Sequence, residues 1–333
     1  MSNVDWKPAY FQDKIGINFK NSDLLFESLA HPSYAQQVSR AEDNNERLEY
    51  LGEKILELII TNYLYQNCPY ITISKLTTLR DKLEEGEKLT NLWFKLGLGE
   101  NFPFLCVKDE RHRLRIKRNN PFEKAFKALV GAMHLDRGLS QTSNWVKKQL
   151  IAPLLDHHLK KIKDRATPKK QLQFLGNALF KAIVADYLHR LFPYVNPIFL
   201  SKITRTLVVK EQQNKYINKL TPEDWKVIDT GDEEIYKKSF TSLLAAMYLD
   251  FEKQNSKTSF REISNWWINK CIDEDQIWRE LITLLVKDEV PQKWIIRKVM
   301  EYESKDYNEG RKRFHELMES SKIDNVMGIG NHC

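Results

Sequence analysis

Apolar residues recur at helical spacing in two long segments of the chain. Leu48, Leu51, Ile55, Leu58 and Ile59 form one series, and Phe126, Leu129, Val130 and Met133 form the other. Each predicts an amphipathic helix with a small residue, Gly52 or Gly131, on its apolar side, where two backbones can approach and cross. On the first helix Glu46, Glu49 and Glu53 fall at i, i+3 and i+7, which aligns three carboxylates in one stripe. Near the C-terminus, Trp278, Leu281, Leu284 and Leu285 predict a further amphipathic helix. Trp294, Ile295, Val299 and Tyr302 predict another, and Phe314, Leu317 and Met318 a third, followed by a frayed tail.

The same pattern occurs twice. "RLEYLGEKILELIITNYLYQNCP" at 47–69 aligns without gaps on "QLQFLGNALFKAIVADYLHRLFP" at 171–193. "ISKLTTL" at 73–79 returns as "LSKITRTL" at 200–207, and "KAFKALVGAMHLD" at 124–136 as "KSFTSLLAAMYLD" at 238–250. "SNWVKK" at 143–148 reappears as "SNWWINK" at 264–270. Four blocks in one order imply two copies of one helical domain. In the second copy Gly176 and Ala245 take the places of Gly52 and Gly131. The expected division is 5–150, 151–272 and a C-terminal helical extension at 273–333. Between the copies, 155–170 reads as a helix and a short basic linker, with His157 and His158 on different faces.

Composition agrees with an all-α globular chain: of 333 residues 42% are hydrophobic and 29% charged, with only 12 Gly and 11 Pro. The net charge of +7 suits a polyanionic partner without requiring one. Four scattered cysteines, without a CxxC pair, suggest neither a zinc site nor a disulfide framework; a reducing, cytoplasmic setting is expected, an organelle remaining open. The first residues lack the features of a signal or transit peptide, and the most apolar run, around Leu58, is broken by Glu57 and Asn62, so no membrane span is expected.

At this point the chain resembles the ribonuclease III family. The resemblance is carried by "NERLEYLGEKIL", by His31, Ser33, Tyr34 and Ala35 after the first helices, and by "KAFKALVGAMHLD". It implies an all-helical domain that works as a dimer along a groove for duplex RNA. Two fused copies then form an intramolecular pseudo-dimer, monomeric as a chain. The region 273–333 does not resemble the family's double-stranded-RNA-binding domain.

The family's two-metal hydrolysis needs carboxylates from both helices, because Mg²⁺ takes oxygen ligands. Carried over residue by residue, Glu46 and Glu49 are retained on the first helix, and Glu53 replaces an aspartate. On the second helix the family's acids fall on Lys124 and Lys127. A unit charge about 6 Å from a divalent ion, at an effective dielectric of about 20, is worth roughly 5 kcal/mol, so each reversal shifts metal binding by on the order of 10 kcal/mol before screening. Lys124 and Lys127 are instead expected to pair with Glu49 or Glu53, and Glu123, about 100° around the helix from Lys124, is a poor substitute for the lost acid. In the second copy the same positions are Lys170, Gln173, Asn177, Lys238 and Thr241, which leaves no acidic cluster.

The expectation is therefore a catalytically inactive relative, with Glu46, Glu49 and Glu53 as relics and neither a metal nor another cofactor. It would bind structured or double-stranded RNA through Lys124, Lys127 and the loop carrying Arg111, Arg113, Arg115, Lys117 and Arg118. Its setting would be a ribonucleoprotein, with protein partners on the C-terminal helices. Trp145, Trp266 and Trp267 are expected in the core; Trp278 and Trp294 would cover the pseudo-dimer or face a partner. Two alternatives stand beside this: a divergent Mg²⁺-dependent endoribonuclease, and a protein-interaction module.

Overall fold

The computed structural model describes residues 7–37, 43–98, 120–155, 168–221, 223–224, 239–255, 257–303 and 307–319. The first repeat comprises α1 (Pro8–Ile15), α2 (Ser22–Leu29), α3 (Pro32–Gln37), α4 (Glu46–Asn67), α5 (Ile73–Leu83), α6 (Gly86–Lys95) and α7 (Pro121–Val146). A turn of π geometry at Lys147–Ile151 joins α7 to α8 (Ala152–Leu155). The second repeat comprises α9 (Pro168–Leu191), α10 (Pro197–Val208), α11 (Lys210–Asn218), α12 (Phe240–Asn255) and α13 (Ser259–Cys271). The extension is α14 (Glu274–Lys287), α15 (Gln292–Glu303) and α16 (Tyr307–Glu319).

Local sequence explains where several of these helices start. Asn21 accepts from the backbone N–H groups of Asp23 and Leu24 at the head of α2. Asn120 caps α7, Asn196 caps α10 and Asp273 caps α14 in the same manner. Each satisfies a donor that the first helical turn leaves without an intrahelical partner.

The long helices cross where the small residues stand. A Cβ on Gly52 would overlap the Lys127 carbonyl oxygen, and one on Gly131 would overlap that of Leu48. In the second repeat a Cβ on Gly176 would overlap the Thr241 carbonyl oxygen. Thr241 is the repeat equivalent of Lys127, so the two crossings have the same register as well as the same partners. Around them Leu51, Ile55, Leu129 and Met133 of one repeat, and Leu175, Leu179, Leu243 and Met247 of the other, are fully buried in one continuous core.

Contacts between the repeats are reciprocal. Arg47 donates to the carbonyls of Val195 and His189, at 2.6 and 2.8 Å. Gln171, its repeat equivalent, donates to the carbonyls of Ile71 and Cys68, at 2.8 and 3.3 Å. Ile71 and Val195 are themselves equivalent, so residue i meets j′ while i′ meets j. That is the signature of a two-fold interface, here closed within one chain. Tyr50 and Thr204 add a hydroxyl–hydroxyl bond of 2.7 Å across it.

The extension packs inward. Trp278 of α14 is buried edge-on against Phe192, with ring centroids 4.8 Å apart, and Arg313 of α16 pairs with Asp275 of α14. Of the two roles open to Trp278, the structure shows the covering one. Trp145 and Trp267 are core residues, while Trp266 is half-buried. Cys68 and Cys271 are buried free thiols, whose pKa values burial pushes up to about 11 and about 12. Among the described residues no helix is long and apolar enough to cross a membrane. The basic loop 108–120 up to residue 119, the linker with His157 and His158, and the tail from 320 lie outside the described residues.

Candidate functional site

The α4–α7 crossing sets the first two turns of α7 beside the glutamate stripe of α4. Lys124 Nζ lies 3.3 Å from Glu49 Oε2. Lys127 Nζ lies 2.6 Å from Glu123 Oε1 on its own helix. The pairing expected for Lys127 is thereby corrected: its partner is Glu123 rather than Glu49 or Glu53, because residues four apart share a helical face. The Glu123 carboxylate rests over Gly86 at the head of α6, where any side chain would collide with it. Glu53 pairs with its neighbour Lys54, at 2.8 Å. Glu46, at the first position of α4, has no side-chain ion pair among the described residues.

The Lys127 ammonium feels the fields of Glu53 and Glu49 as well as that of Glu123. Glu84, just beyond α5, lies within its influence too. Burial works against the charged form of Lys127, yet the Glu123 hydrogen bond and these carboxylates raise its pKa above the ordinary lysine value. Burial also acts to raise Glu53, but Lys54, Lys127 and Lys181 bring it below the usual carboxylate range. For Glu49 burial dominates and the pKa rises, although Lys124 and Lys127 oppose the shift. Glu84 is pushed up to about 7 by burial and by repulsion from Glu57, and its Oε1 has no hydrogen-bond partner.

A charged ammonium therefore sits among Glu49, Glu53, Glu84 and Glu123. This donor set does not fit Mg²⁺: the carboxylates are already compensated by an internal cation, and a second cation in their midst would meet it at short range. Among the described residues no group of three or more His, Cys, Asp or Glu side chains is disposed to hold a metal ion.

In the second repeat, Gln173 and Asn177 are exposed at a cavity of about 430 Å³, lined also by Glu57, Arg80, Lys181 and Gln213. Thr241 is buried at its helix crossing, its hydroxyl 3.2 Å from that of Ser239. Lys238 and the side chain of Lys170 lie outside the described residues, as do Arg111, Arg113, Arg115, Lys117 and Arg118.

Sequence reasoning passed over Glu84, Arg80 and the role of Glu57. Glu57 Oε1 accepts from Arg80 at 3.1 Å and from Lys181 of the other repeat at 2.9 Å. The signal for Glu57 was its position inside an apolar run. Glu84 carries no comparable signal, since a carboxylate at a helix end is ordinary.

A family model described as ribonuclease-III-like matches residues 21–154, which run from the head of α2 through the first repeat into α8. Ribonuclease 3 of Chlamydia trachomatis serovar L2 is 33% identical over 144 residues, which span 43% of this chain and 59% of that protein. Ribonuclease 3 of Borreliella burgdorferi is 35% identical over 136 residues, 41% of this chain and 55% of that one. Ribonuclease 3 of Carboxydothermus hydrogenoformans is 32% identical over 161 residues, covering 47% of this chain and 67% of that protein. The nuclease domain of ribonuclease III from Campylobacter jejuni aligns with 25% identity and a TM-score of 0.39, over 46% of this chain and 99% of that one. The chain thus spans between about half and two-thirds of the length of these curated relatives. It belongs to the ribonuclease III family.

Proposed function

We propose that this chain binds double-stranded RNA without cleaving it, as a structural member of a ribonucleoprotein. The observation that carries this reading is the Lys127 ammonium among Glu49, Glu53, Glu84 and Glu123, where the family's chemistry requires oxygen ligands around a metal. With Lys124 held on Glu49, the groove loses its metal donors. Duplex recognition then rests on shape and on phosphate contacts, with little sequence reading. Arg111, Arg113, Arg115, Lys117 and Arg118 supply a basic loop for those contacts, and the cytoplasm is the proposed setting.

A gel-shift titration with duplex RNA in Mg²⁺, run beside a denaturing gel of the same samples, tests both halves. Retarded duplex with intact strands supports the reading. Shortened strands, lost on Glu49→Gln and Glu53→Gln substitution, would return the chain to the nucleases. Absence of affinity at low salt would make it a protein-interaction module instead.

A further inference from the structure

The pseudo-two-fold axis creates two related clefts between the repeats, and they have diverged. One lies among α4, α7 and α12, has a volume of about 210 Å³, and is lined by Asn62, Ser143, Asn144, Lys147, Tyr248 and Glu252. The other lies among α7, α9 and α13 and has a volume of about 590 Å³. Ser264 and Asn265 line it as Ser143 and Asn144 line the first.

Three differences open and charge the larger cleft. Gly138 stands where the smaller one has Glu252, whose carboxylate there accepts from Gln66 at 3.1 Å. Gly138 also kinks α7 with a φ of 80°, a conformation a larger residue would resist. Arg190 stands where the first repeat has Gln66, and Arg261 where it has Ser140. Lys257 adds a third cation to the lining. The single acid there, Asp186, is already bound: His134 Nε2 lies 3.1 Å from one oxygen and Arg190 Nε 3.0 Å from the other. Arg261 is exposed and has no partner among the described residues.

Beside Thr258, Ser264 and Asn265, the lining presents an apolar and aromatic side that includes Leu135, Tyr187, Phe260 and Ile268. His134 is 5% exposed, and its Nδ1 is buried without a hydrogen-bond partner. A buried polar atom of this kind costs stability unless something satisfies it. The volume falls within the ~300–1,000 Å³ range of small-molecule sites, and guanidinium groups match phosphate oxygens in geometry and charge.

We propose that the larger cleft binds a phosphate ester of nucleotide size, its phosphates held by Arg190, Lys257 and Arg261 and its apolar part lying against Tyr187 and Phe260. The site is separate from the lysine-filled glutamate cluster. Calorimetric titration of the full chain with ATP, with adenosine and with a short RNA duplex tests it. Saturable ATP binding is expected, with adenosine weaker by about tenfold or more and Arg261→Ser weakening ATP about tenfold while leaving duplex affinity unchanged. It is overturned by the absence of saturable heat with ATP, by equal ATP affinity in Arg261→Ser, or by adenosine binding as well as ATP. Equal weakening of ATP and duplex RNA in that variant also overturns it, because these cations would then serve the RNA backbone.

Discussion

Glu57 and Lys181 occupy the same position in the two repeats and are bound to each other, with Lys181 Nζ 2.9 Å from Glu57 Oε1. Equivalent residues touch only on a two-fold axis, so this pair marks the axis of the pseudo-dimer. The Glu57 side chain is 10% exposed and is also held by Arg80, whereas Lys181 is 38% exposed. The two substitutions are therefore unequal. Glu57→Gln leaves two cations facing each other and is expected to cost about 2–3 kcal/mol. Lys181→Gln leaves Glu57 with Arg80 and is expected to cost less than about 1 kcal/mol. Urea unfolding of both variants measures the difference, and equal costs would remove the axis pair from the account.

Arg47 and Gln171 carry the reciprocal contacts between repeats. Arg47→Ala orphans the carbonyls of Val195 and His189 and is expected to cost about 2–3 kcal/mol, against about 1–2 kcal/mol for Gln171→Ala. Arg47→Lys should recover little, because one ammonium does not reproduce two bonds made by a planar fork. Full recovery in Lys would show that charge alone matters there.

The helix crossings rank the glycines. Gly176→Ala drives a Cβ into the Thr241 carbonyl oxygen, as Gly52→Ala does at Lys127, and each is expected to cost about 3 kcal/mol or more. Gly86→Ala meets only the flexible end of Glu123 and should cost about 1 kcal/mol or less. Thermal denaturation of the three variants tests the ranking, and a tolerated Gly176→Ala would contradict the close crossing in the second repeat.

Glu84 gives the protein a pH dependence of known sign. Its pKa rises on folding from about 4.5 to about 7, so the folded chain holds that proton more tightly than the unfolded one. Its contribution to stability is complete below about pH 4.5 and is lost as the pH rises through about 7. Glu84→Gln is therefore expected to stabilise by about 1–3 kcal/mol at pH 8 and to change little at pH 4.5. Denaturation at the two pH values checks this, and a variant less stable at pH 8 would reverse the sign.

The helices and their duplication were legible because apolar periodicity and the glycine positions depend only on local spacing. The Lys124–Glu49 pair followed once the crossing point was fixed by Gly52 and Gly131. Lys127 was misassigned because its partner is decided by a side chain one turn away on its own helix, competing with acids across the crossing. Glu84 joined the cluster through the placing of the α5–α6 corner under α7, a tertiary relation with no periodic trace. Glu57 and Asn62 were visible as interruptions of an apolar run, and both proved to be contact points between repeats. Their partners, Lys181 and Glu252, lie more than a hundred residues away and could not be read from spacing.

A Mn²⁺ titration followed by electron paramagnetic resonance reports on the ammonium among the four glutamates without any RNA present. The native chain is expected to leave the signal of free Mn²⁺ undiminished at equimolar metal, whereas the variant with Lys124→Asp and Lys127→Glu together should quench it, because two oxygen ligands then replace two cations. Stoichiometric quenching by the native chain, abolished by Glu49→Gln, would mean that these glutamates hold a metal ion in spite of Lys127.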